Sequence, residues 1–85
     1  MLTQPTYNHL ISNLHKVKLQ ACAMIMSMPD DEILAGVTIQ AKKGLTKYGC
    51  TIDDNKDFDF EQYAKEEIFD LLVYTANGNV RTKNN

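Results

Sequence analysis

Six apolar residues early in the chain, Leu10, Leu14, Val17, Ala21, Met24 and Met28, recur at spacings of 4, 3, 4, 3 and 4. An α-helix puts such positions on one side, whereas a strand alternates every second residue. The pattern predicts a helix over about 7–28, with a seam suited to antiparallel helix packing. Ile11, Leu19 and Ile25 lie beside or off the seam and predict a second contact. Met24, Met26 and Met28 are expected as adaptable core filler. His9 and His15 are not four residues apart, so they do not form a helical metal pair.

Pro29 ends this helix, and Asp30 is expected to cap the next. The second helix is predicted over 31–48, with Asp31 and Glu32 in the first turn, where the helix dipole favours negative charge. Its expected buried stripe is Ile33, Val37, Ala41, Leu45 and Tyr48. Gly36 and Gly44 weaken the helix, but their small size allows a neighbouring helix to approach closely. Gly49 is the expected left-handed stop. Cys50 to Phe58 reads as a polar connector. It lacks the central glycine and the terminal glutamate of an EF-hand loop.

The third helix is predicted over 59–77. Asp59 is its expected N-cap, Gln62 completes a capping box, and Asn77-Gly78 is the expected stop. At 100° per residue, Phe60, Ala64, Ile68, Leu71 and Tyr74 share one face. Glu67 falls inside that stripe and Asp70 on its edge. An acid aimed at a core must be neutralised, paired or bound to a metal. Glu67 and Asp70 lie one turn apart, a spacing that can put two carboxylates on one cation. The alternative is a pairing of Glu67 with Lys43 or Lys47. Phe69 and Val73 lie on the opposite face and are expected at a subunit interface.

These elements predict an all-α fold, a small bundle of three main helices. Eighty-five residues make one small domain, taken as 1–78, with 79–85 as a disordered polar tail. A chain this short often gains stability by self-association, so a homo-oligomer is expected. The net charge of -2 gives no electrostatic case for DNA or an anionic membrane. No apolar stretch approaches the roughly 20 residues that span a bilayer. The start has no signal-peptide pattern. Cys22 and Cys50 make neither a CxxC nor a zinc pattern, and are expected as free thiols of a reduced cytoplasmic protein.

Two pieces together resemble a known family. They are Lys47-Tyr48-Gly49 at a helix end and Glu66-Glu67-Ile68-Phe69-Asp70-Leu71-Leu72-Val73-Tyr74 after the connector. They are similar to the small MazG-like nucleotide pyrophosphohydrolases and related phage proteins, which carry KYG followed by EExxDxxxY. The resemblance covers roughly residues 39–76. It implies an all-α, oligomeric, Mg²⁺-dependent protein that cleaves nucleoside triphosphates to the monophosphate and pyrophosphate. Glu67 and Asp70 match the catalytic acidic pair, with Glu66 as the first acid of the motif. Lys47 and Tyr48 match the KYG segment near the nucleotide, and Lys43, which shares with Lys47 the flank of the second helix's apolar stripe, is the further candidate for phosphate oxygens.

The sequence departs from the family in one respect. The family has an earlier E-x-x-E pair on a preceding helix. Here no Asp or Glu lies between Tyr7 and Met28, and the second helix carries Asp31 and Glu32 only at its start. Glu32 is therefore the candidate further ligand, unless a partner subunit supplies one. If the pair is lost, the alternative is a non-catalytic, phage-type interaction protein that binds and inhibits a host protein.

Overall fold

A computed structural model describes residues 4–54 and 58–84, with the side chains of 83 and 84 excepted. The described residues form four α-helices and no strand. They are α1 (Pro5–Ser12), α2 (Leu14–Ser27), α3 (Asp30–Tyr48) and α4 (Phe60–Asn84), with one 3₁₀ turn at Ile52–Asp54. The all-α class expected from the periodicity is what the chain adopts. Contacts group it into two compact units, 1–26 with 61–85, and 27–60.

The first of these units holds α1, α2 and most of α4. The single helix expected over 7–28 is instead two, because Asn13 interrupts it. Asn13 leaves helical geometry at φ -130° and ψ 33°. Its side-chain Nδ2 donates to the His9 carbonyl at 3.0 Å, the same oxygen that accepts from its backbone N–H. Asparagine competes with the helix ladder in this way, and apolar periodicity does not register it. The seam survives the break in part. Val17 and Ala21 are buried and Leu10 is half-buried, while Leu14 and Met24 stay exposed.

α4 departs most from expectation. It runs through Asn77-Gly78 to Asn84, where a stop and then a disordered tail were expected. Gly78 does not take the left-handed conformation. The asparagines bond across helices instead of capping. Asn77 Nδ2 donates to Thr6 Oγ1 at 3.0 Å, and Asn79 Nδ2 donates to Gln20 Oε1 at 2.6 Å. The same Asn79 nitrogen lies 3.2 Å from His9 Nε2. Among the described residues these bonds tie the end of α4 to α1 and α2. Ala76 is buried between them, and Leu71, Leu72, Val73 and Val80 are half-buried.

The face of α4 that the sequence marks as its core stripe is mostly bare by contrast. Phe60, Ala64, Ile68 and Tyr74, four of the five residues of the expected core stripe, are exposed, Phe60 at 74%. Periodicity tells which residues share a face. It does not tell whether another element covers that face.

The second unit is built on α3. Pro29 occupies the N-cap position, and Asp30 is already helical, so the expected cap is shifted by one. Asp31 Oδ1 accepts from the Glu32 backbone N–H at 3.0 Å. Asp30, Asp31 and Glu32 all stand in the first turn, where the dipole favours them. At the other end Gly49 has φ +73° and its N–H donates to the Leu45 carbonyl at 2.8 Å, the expected left-handed stop. Gly49→Ala should lower stability by about 1 kcal/mol, since a Cβ is disfavoured at that φ. Chemical denaturation would measure the loss. Open space around the position leaves no steric cause to confuse it with.

No residue of α3 is buried. Of the expected stripe Ile33 is half-buried, whereas Val37, Ala41, Leu45 and Tyr48 are exposed. A Cβ at Gly36 or Gly44 would meet nothing within 4 Å.

Candidate functional site

The candidate residues fall in both units. Glu66, Glu67 and Asp70 stand on α4, in the unit that contains 61–85, and Glu32, Lys43, Lys47 and Tyr48 on α3. Each group is described on its own.

On α4 all three acids are exposed. This corrects the expectation that Glu67 points into a core. The face it shares with Phe60 and Ile68 is itself uncovered, so Glu67 carries no burial penalty. Glu66 Oε1 accepts from Gln62 Nε2 at 3.3 Å. Lys65 pairs instead with Glu61, at 3.3 Å one turn earlier. Among the described residues neither Glu67 nor Asp70 has a hydrogen-bond or ion-pair partner.

Along α3, Lys42, Lys43 and Lys47 line an open concavity of about 420 Å³ with Ile39 and Thr46. Thr46 Oγ1 is turned inward, donating to the Lys42 carbonyl at 3.1 Å. Lys47 Nζ stands 5.2 Å from the centre of the Tyr48 ring, a cation–π contact. Glu32 lies eleven residues before Lys43, about 16 Å along the helix axis, and does not join this group.

A second concavity was not foreseen. Val37, Ala41, Leu45 and Tyr48 form one wall of a cleft of about 760 Å³, and Ile52 and Phe58 come from the connector. The connector reaches the cleft through a tight turn. Thr51 Oγ1 donates to Asp54 Oδ2 at 2.9 Å, and the Asp54 N–H donates to the Thr51 carbonyl at 3.2 Å. The signal in the sequence was the pair of apolar residues, Ile52 and Phe58, in an otherwise acidic stretch. Residues 55–57 of the connector lie outside the described residues. Cys50 lines this cleft as a free thiol, and Cys22 is free on α2.

Mg²⁺ takes oxygen donors and keeps several waters, and one or two carboxylates with substrate phosphates commonly suffice to hold it. Glu67 and Asp70, exposed and one turn apart, fit that donor set. No group of three or more metal-ligating side chains converges among the described residues. No family model, curated protein or solved structure matches this chain.

Proposed function

We propose that the chain is a MazG-like nucleotide pyrophosphohydrolase, or a nucleotide-binding relative, acting on nucleoside triphosphates with Mg²⁺ in the cytoplasm. The observation that carries this reading is the pair Glu67 and Asp70. Two acids on successive turns stand exposed, without cationic partners among the described residues. Such a pair repels itself unless a cation joins it. In this reading Glu67 and Asp70 hold the magnesium and Glu66 and Glu32 lend further negative charge. Lys43 and Lys47 receive phosphate oxygens as point charges, and Tyr48 flanks the nucleotide. Bound magnesium would offset phosphate charge and make a water more acidic.

The test is a panel of ribo- and deoxyribonucleoside triphosphates incubated with the chain and Mg²⁺. Equal release of monophosphate and pyrophosphate is expected. Absence of products, together with no thermal shift from Mg²⁺ or any nucleotide, would reject both forms of the reading.

A second reading has its own observation. The bare apolar side chains of α3 and of the N-terminal half of α4 suit a non-catalytic, phage-type protein that binds and inhibits a host protein. Phe69 is exposed and Val73 half-buried, and in either reading we place Phe69 in a contact between subunits.

A further inference from the structure

Asn77 is the one asparagine of the chain that precedes a glycine. Asn77-Gly78 lies inside α4 and not in a turn. Glycine weakens a helix interior, so a glycine there calls for a reason. Conformation does not supply it, since Gly78 is not at positive φ. Close packing does not supply it either, since a Cβ at Gly78 would meet nothing within 4 Å. The dipeptide is reactive instead. Glycine has no side chain to shield its backbone nitrogen, and that nitrogen can attack the side-chain amide of a preceding asparagine.

We infer that Asn77-Gly78 is a site of spontaneous deamidation, held silent by the helical end of α4 and released when that end opens. The Gly78 nitrogen gives up its proton to solvent and bonds to Asn77 Cγ. The Cγ–Nδ2 bond then breaks and ammonia leaves with a proton, closing a succinimide ring. Water opens the ring by cleaving one of its two carbonyl–nitrogen bonds. Cleavage at Cγ leaves aspartate. Cleavage at the main-chain carbonyl leaves isoaspartate, whose backbone runs through the former side chain. Either product carries one negative charge where Asn77 had none.

The native fold opposes the first step in two ways. Inside a helix the Gly78 N–H is directed at the carbonyl four residues earlier, that of Tyr74. Attack requires that hydrogen bond to break and Asn77 to leave helical ψ. The amide itself is also held, because Asn77 Nδ2 donates to Thr6 Oγ1 at 3.0 Å. Asn79 fastens the same stretch to Gln20 at 2.6 Å. Gly78 is exposed, so water reaches the ring once it forms. Helix ends open at a lower cost than the whole fold, and the site therefore reads how often the end of α4 leaves α1 and α2. An α-helix does not accommodate an isoaspartyl backbone, so a lasting opening becomes permanent.

The test incubates the full chain at mildly alkaline pH, with and without guanidinium chloride, followed by trypsin. Residues 66–81 leave as one peptide, and its fragmentation in a mass spectrometer locates the modified residue. The denatured chain is expected to convert Asn77 to a mixture of aspartate and isoaspartate. The native chain is expected to do so on the order of tenfold more slowly, or slower still. Asn79→Ala is expected to raise the native rate roughly fivefold, the worth of one lost hydrogen bond, and to leave the denatured rate unchanged. Gly78→Ala is expected to slow both rates, because a methyl group shields the attacking nitrogen. Equal rates in the native and denatured wild type would overturn the proposal, and that comparison needs no variant to fold. So would a denatured chain that keeps Asn77 intact, or an Asn79→Ala chain no faster than wild type.

Discussion

Glu67→Gln is expected to abolish Mg²⁺-dependent hydrolysis while leaving the helix content unchanged. The fold should tolerate the change because Glu67 is exposed and has no partner among the described residues. An amide of the same shape adds no clash, and exposed substitutions typically move stability by under about 0.5 kcal/mol. The consequence for metal is of another size. Removing one of two paired carboxylates removes half the charge offered by the pair. Loss of a ligand exceeds the 10–100-fold effect usual for groups that only orient a ligand, so a loss of roughly 100-fold or more is expected. A thermal melt provides the companion measurement. Magnesium at about one hundred times its dissociation constant stabilises a single-site protein by about 2.7 kcal/mol. Wild type should show that shift and Glu67→Gln should not. Because the carboxylate is exposed, the shift reports binding alone, without relief of a buried charge. A variant that retains full hydrolysis would remove Glu67 from the site.

Val17→Asp is expected to unfold the unit formed by α1, α2 and the end of α4. Val17 is 0% exposed, and its fully buried company is small, with Ala21 and Ala76 the other buried apolar residues described. An unpaired carboxylate placed there costs several kcal/mol. Domains of this length have a total stability of roughly 4–13 kcal/mol, and one with so few buried side chains belongs near the bottom of that range. Circular dichroism at 25 °C should show most helix lost. Val17→Ala removes packing without adding charge, and should cost only about 2 kcal/mol. A cooperative, near-native melt for Val17→Asp would show that this position is not the centre of the core.

The parts of the fold legible in the sequence are those governed by local chemistry. Gly49 ends α3 because only glycine takes that backbone conformation without penalty, and the chain shows it plainly. Val17 and Ala21 are buried on the seam that their spacing marked. The illegible parts depend on what lies opposite. Asn13 reads as one more polar helix residue until its amide is seen on the His9 carbonyl. Asn77-Gly78 reads as a stop until Asn77 and Asn79 are seen bonded to Thr6 and Gln20. For the candidate site, the turn-apart spacing of Glu67 and Asp70 was visible, since it is a property of one helix. Their exposure was not, because the stripe that contains Glu67 finds no cover among the described residues. The cleft was missed because its two walls are joined by a turn that Thr51 and Asp54 close.

The polar contacts at the end of α4 set the chain's phase as well as its stability. Thr6, His9 and Gln20 are matched by Asn77 and Asn79, which lie two residues apart on α4. Each added residue turns a helix by about 100° and advances it about 1.5 Å. An insertion or deletion of one residue between Ala76 and Asn79 would swing the Asn79 amide away from both partners, while slid apolar contacts could still find substitutes. This segment is therefore forgiving of many single replacements on its outer side and intolerant of a change in length.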